Sequence, residues 1–296
     1  MSRIPDTPTR IGRKNILKVL VLQVFLAAAP VLAAVEFQLK LSGGLSFLSP
    51  DAVNLALRDW PEWKRLDADS RQVWTYLDAK TPRISRGVAF EGEFLLYLSP
   101  RIALSIGSGF MYSALQPEDT VVRIDKPLGE TWEIQPRTLS AVPLTVSAYY
   151  HIPLHRRSSF YLRAGGGWAW GRYVEREGSR RITAEKYGYS REENSSAAGP
   201  VYLCGLGLDF ILEPGVRFFL EGSFRRIKLS GYSGAMEGDA MGTLYSFEEF
   251  LPEFEFWQAK NRLLLQPPAG ENTRNVRETE VDFSGFSLMI GVAIRF

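Results

Sequence analysis

The chain has 296 residues, 45% hydrophobic and 23% charged, with 35 Lys and Arg against 33 Asp and Glu. No run of residues provides several membrane-spanning helices, and the near-balance of charge argues against a nucleic-acid-binding surface. The single cysteine, Cys204, excludes an intrachain disulfide and a cysteine-based metal site.

At the N-terminus, Arg3, Arg10, Arg13, Lys14 and Lys18 precede an apolar run from Val19 that ends near Pro30, Ala33 and Ala34. This order of basic, apolar and small residues predicts a cleaved signal peptide over residues 1–34. Its removal leaves a mature domain, 35–296, with 30 basic and 32 acidic residues.

The mature chain then alternates with a period of two, the signature of strands with two different faces. Strand one, from Val35 to Phe47, sets Phe37, Leu41 and Leu45 against Glu36, Lys40 and Ser46. Strand two, Gly87 to Leu98, sets Val88, Phe90 and Phe94 against Glu91 and Glu93. Strand three runs from Ile102 through Tyr112, and strand four from Thr138 to Ile152, with Tyr150 on its apolar face. Strand five, Phe160 to Val174, opposes Trp168 and Trp170 to Arg163. Strand six, Pro200 to Leu212, carries Asp209 on its polar face; strand seven, from Val216, carries Arg217, Glu221 and Arg225. The eighth alternates Phe286, Leu288, Ile290, Val292, Ile294 and Phe296, with Arg295 on the other face, and ends on an aromatic residue.

Long connections at 48–86, 116–137, 175–199 and 231–278 alternate with connections of hairpin length. Long loops on one side and short turns on the other are the layout of an outer-membrane barrel, with an even strand count leaving both ends at the short-turn side. The apolar face then meets lipid, with Tyr112, Tyr150, Trp168 and Trp170 as aromatic girdles. The other face fills a narrow interior, where Glu36, Lys40, Glu91, Glu93, Arg163, Asp209, Arg217, Glu221, Arg225 and Arg295 must compensate one another.

Together, the leader, the eight alternating segments, the VPLTVSAYYHIPL strand and the terminal Phe296 resemble the small outer-membrane barrel superfamily of OmpA, OmpX and OmpW. The resemblance implies an all-β, eight-stranded, antiparallel up-and-down transmembrane barrel in the outer membrane of a Gram-negative-type bacterium. It also implies that the barrel assembly machinery reads Phe286 and Phe296 as an assembly signal. No peptidoglycan-binding domain follows strand eight, so a cell-wall tether is not implied.

Within the loops, Ser49-Pro50-Asp51 predicts the N-terminus of a short helix over 51–59, and Trp60, Trp63 and Trp74 predict a folded cap. The stretch 244–265 holds a possible extra hairpin, which would raise the strand count to ten. Signals of catalysis are weak. His151 and His155 both fall at the short-turn end, whereas barrel enzymes that modify lipid A work near the outer leaflet. The glycines of 165–171 lie within a strand and make no phosphate loop. The reading is a non-enzymatic scaffold with a side-chain-filled interior, without cofactor or metal. Its expected partners are outer-membrane lipid and lipopolysaccharide, the assembly machinery, and an extracellular ligand of the loops. The alternatives are a narrow conduit for small apolar solutes and a lipid A-modifying enzyme.

Overall fold

The computed structural model describes residues 36–182, 187–236 and 240–296; the expected signal peptide lies outside them. Eight long strands dominate: β1 (Glu36–Phe47), β2 (Arg86–Tyr97), β3 (Ile102–Leu115), β4 (Arg137–His155), β5 (Ser158–Arg181), β6 (Gly188–Glu213), β7 (Val216–Leu229) and β8 (Gly285–Arg295). Each pairs antiparallel with the next, and β8 pairs back with β1, so the eight form a ring. The register makes the same statement. From Ser196 on β6, ladder partners lead through Arg172, Ser140, Tyr112, Val88, Leu45, Leu288 and Gly222 to Leu206 on β6 again. That stagger of ten residues over eight strands tilts the strands by about 40° and leaves an interior only as wide as its own side chains.

Sequence period becomes inside and outside. Phe37 is 53% exposed and Phe94 61%, whereas Glu93 is 1% exposed. Outward positions on all eight strands are mainly apolar over a belt such as Phe37 to Phe47, about 25 Å tall for ten residues at this tilt, and the exposed Ser108 spends its hydroxyl on the Pro143 carbonyl. Arg86, Arg172, Arg226 and Lys228 are the charged outward-facing residues that end the belt on one side. Cys204 also faces outward, between Tyr202 and Leu206 on β6. Exposed apolar surface on this scale is unstable in water and suited to lipid.

At one end sit residues 36 and 296 and three tight turns: 98–101, 156–157 and 214–215. Gly215, at φ +88°, makes the last of these turns with a backbone that side chains rarely adopt. At the other end the chain builds a head. The expected loops at 116–137 and 175–199 are largely strands, because β5 and β6 run on past the belt and Val121–Lys126 and Gly129–Ile134 form a hairpin beside β5. Thr75–Lys80 extends this first wing. The second wing holds Ser233–Ala235, Met241–Leu251, Phe256–Leu264 and Thr273–Glu278 on the β6 side. The hairpin anticipated in 244–265 therefore exists, but it lies outside the ring, which stays at eight strands.

Helix α1 (Asp51–Ser70) lies between the wings and is twice the expected length. It passes through Pro61 and starts from Pro50 without a side-chain cap; the Ser49 hydroxyl goes to Asp51 instead. Burial holds it. Trp60 and Ala68 pack on Val122 and Ile124 of the first wing, while Val53 and Leu57 close over the barrel mouth. The Asn54 amide imitates a strand, donating to the Ile84 carbonyl (3.0 Å) and accepting from its N–H (2.8 Å).

Candidate functional site

The lumen is stacked in layers. Nearest the turns, Arg217 Nη1 and the Ser159 hydroxyl reach Asp209 Oδ2 at 3.1 and 2.9 Å, and the Tyr97 hydroxyl donates to Gln38 Oε1 at 2.7 Å. His151 lies here, buried, with Nε2 3.4 Å from the Tyr97 oxygen and Nδ1 3.7 Å from Asp209. Glu36 and Arg295 pair at the rim of the barrel, half-exposed, so they stand at the edge of the expected interior network.

Above this layer is the main cluster. Arg163 spreads its guanidinium across three carboxylates: Glu221 Oε1 at 2.9 Å, Glu93 Oε1 at 2.6 Å and Glu91 at 2.5 and 3.0 Å. Lys40 binds Glu221 from the other side and also reaches the Tyr161 and Tyr149 hydroxyls at 3.1 and 3.3 Å. Those hydroxyls in turn donate to Glu221 and Glu93. Charge buried in this way survives only with its valences filled. Space for it comes from small residues: a Cβ on Gly107 would lie 2.5 Å from Glu93 Cγ, and one on Gly207 2.3 Å from the Tyr161 ring. Arg225 departs from expectation. It binds the Ser46 and Ser287 hydroxyls and pairs with no carboxylate among the described residues.

The next layer is apolar. Ala89, Met111, Ala141, Val201, Ile227 and Met289 give way to Leu139, Tyr173, Leu229, Tyr232 and Phe283, which meet Val53 and Leu57 of α1. Two small voids lie in the lumen, one of about 30 Å³ beside Arg163 and Arg225 and one of about 20 Å³ beside Lys40 and His151. Each is of the order of a single water.

Ringed, apolar outside, plugged inside and headed at one end, the chain has the architecture of a membrane β-barrel. Among solved structures, it is similar to Ail, the attachment invasion locus protein of Yersinia pestis (10% identity, TM-score 0.35, 88% of this chain and 99% of that chain). It is similar to the outer membrane protein OprG from Pseudomonas aeruginosa (12%, TM-score 0.36, 88% and 95%). It is also similar to the outer membrane protease OmpT from Escherichia coli (10%, TM-score 0.33, 88% and 96%). No family model and no curated protein matches the chain.

In the head, charges again come in sets. Lys64 reaches Glu133 at 2.5 Å and Glu177 at 3.8 Å; Arg137 reaches Glu175 at 3.3 Å and donates to the Val53 carbonyl at 2.6 Å. Arg191 joins Glu177 and Glu193 at 3.3 and 3.0 Å. Burial pushes Glu133 up, but Lys64 and Lys126 outweigh it and hold this carboxyl below its usual range. At Glu193 burial wins over Arg191, and the carboxyl is pushed up to about 7.

Outward on the belt, Tyr112, Trp168 and Trp170 lie toward the head and Tyr150 toward the turns. Phe286 faces outward, and Phe296 donates its N–H to the Phe37 carbonyl, tying the last residue to β1. Period-two reading places Lys40, Glu93, Arg163 and Glu221 inward but does not single out Tyr161 or Phe219, which complete the cluster. Phe219 lies in an unbroken apolar pair with Phe218, and its ring sits 4.3 Å from Lys40 Nζ.

Proposed function

We propose that this protein is an integral outer-membrane barrel that serves as a closed scaffold for a folded extracellular head, with neither conduction nor catalysis in its lumen. The observation that carries this reading is the interior itself. The Arg163–Glu91–Glu93–Glu221–Lys40 cluster fills the barrel's cross-section, and the apolar layer under α1 seals it a second time. Passage of a solute would require taking apart a hydrogen-bonded set of buried charges, and leaving one such charge unpaired costs about 3–5 kcal/mol. The turn end faces the periplasm and the head faces outward, as expected for a barrel with short turns on one side and long excursions on the other.

The placement of the histidines supports a non-enzymatic role. His151 is enclosed in the lumen and His155 lies exposed beside the 156–157 turn, both at the end away from the head. Purified protein in planar bilayers is expected to show no reproducible openings; stable single-channel steps would refute the sealed-scaffold reading. Lipid A from cells overproducing the protein is expected to be unchanged, and a new acylation or deacylation product abolished by His151→Ala would establish an enzyme instead.

A further inference from the structure

The head contains polar valences that the fold leaves open. A cavity of about 100 Å³ lies between α1, Gln135, the head ends of β4 and β5, and the strand Phe256–Leu264. Four buried polar atoms on its lining residues have no hydrogen-bond partner among the described residues: Trp60 Nε1, Gln135 Oε1, Arg137 Nε and Gln258 Oε1. Their side chains are all more than nine-tenths buried. Buried groups of this kind are normally satisfied, and each one left empty costs about 1–3 kcal/mol. Four around one cavity therefore point to something that fills it.

The chemistry of the gap is specific. Two of the open atoms are N–H donors and two are amide oxygens. Most full charges on the lining are already matched: Arg137 and the Gln135 amide nitrogen meet Glu175, Glu177 meets Arg191, and Lys260 meets Glu249, while Arg262 pairs with no carboxylate among the described residues. An anion would meet Arg262 and the two donors but leave both amide oxygens open and face Glu175 and Glu177; a cation would serve only the acceptors and face Arg137 and Arg262. Hydroxyl groups both donate and accept, and an indole ring offers an apolar surface to the C–H face of a sugar. The cavity adjoins an open cleft of about 330 Å³, with which it shares Ala259, Lys260 and Asn261. Together they are large enough for a small ligand with one end inserted.

We propose that this cavity and its cleft bind a neutral saccharide, one sugar hydroxylated edge entering between Trp60, Gln135 and Gln258 and the remainder lying along α1. A role in contact with external glycans rests on the outward-facing head proposed above, but binding itself does not, so the two are tested separately. Labelling of head residues on intact cells by an impermeant reagent reports orientation.

For binding, the full chain is folded in a zwitterionic detergent that has no sugar headgroup. Glucose, galactose, mannose, N-acetylglucosamine and their methyl glycosides are tested by saturation-transfer NMR, with glucuronate as the charged control. At least one neutral sugar should bind at millimolar concentration. Gln135→Leu and Gln258→Leu should each weaken it about tenfold, the worth of one good hydrogen bond. Trp60→Phe, which keeps an aromatic ring but removes the N–H donor, should do likewise with unchanged heat-modifiable mobility. The proposal is overturned if no neutral sugar gives transfer, if only glucuronate does, or if binding is the same in folded Gln258→Leu and Trp60→Phe proteins. Ordered water alone in the cavity of a sugar-soaked crystal would overturn it as well.

Discussion

At the scale of single residues, the lumen separates charges that are structural from charges that are incidental. Glu93 is 1% exposed and faces Arg163, Lys40 and Tyr149. Glu93→Ala is expected to lower the stability of the folded barrel by about 3–5 kcal/mol, since it leaves buried cations without their partner. The half-exposed rim pair of Glu36 and Arg295 is worth about 0–1 kcal/mol, so Arg295→Ala should be nearly silent. Denaturant unfolding in micelles, read by gel mobility, compares the two. Glu193 gives a pH dependence of known sign. Its folded pKa, about 7, lies above the ordinary carboxylate value of 4.5, so the folded state holds the proton more tightly. The stability this group contributes is full below about pH 4.5 and is lost as pH rises from there through about 7, with no further change above. Glu193→Gln, which imitates the protonated form, should stabilise the protein by about 1–2 kcal/mol at pH 8 and much less at pH 5. Unfolding midpoints measured at the two pH values decide it.

At the scale of elements, the sequence is most readable where one face meets lipid. There an apolar residue is compulsory at every second position, and the strands stand out wherever the alternation is strict, as from Phe286 to Phe296. Past the belt both faces meet water or the head, so the obligation lapses. The stretch Val174–Arg181 has five charged residues in eight and reads as loop, yet its backbone continues the ladder with β6 as far as Ser179. The same reasoning explains α1: residues 60–70 carry too few apolar positions to announce a helix, but Trp60, Lys64 and Ala68 recur on one face that both wings cover. The open valences of the head were illegible for another reason. Trp60, Gln135 and Gln258 come from three distant segments, and no local pattern joins them. Closure depends on one element above all. β8 pairs with both β1 and β7, closing the last free edges of the ring. Deleting Phe296 removes the hydrogen bond to Phe37 and the terminal aromatic residue, and should reduce the amount of barrel recovered from outer membranes. Levels equal to wild type would show that the aromatic end is dispensable.

For the whole molecule, the same chain solves two solvent problems at once. The belt places its apolar atoms outside and its ions inside, while the head restores the order usual in water, with Trp60, Val53 and Leu57 inside and Arg58, Glu62 and Arg65 outside. Helix α1 is the junction between the two, since it seals the lumen with one part of its surface and supports the head with the rest. Leu57→Ala should cost about 2–5 kcal/mol and loosen the head, without opening the ion cluster beneath. Faster proteolysis of the head, with undiminished electrical tightness, is the expected pairing of results.

The one cysteine of the chain has a practical consequence. Cys204 sits mid-belt on the outer surface, where acyl chains surround it once the barrel is in place. A water-borne maleimide can reach this thiol on the nascent or unfolded chain, but meets hydrocarbon around it afterwards. The unaltered protein therefore carries its own clock for insertion, and the time at which Cys204 ceases to react marks the moment the ring enters the bilayer.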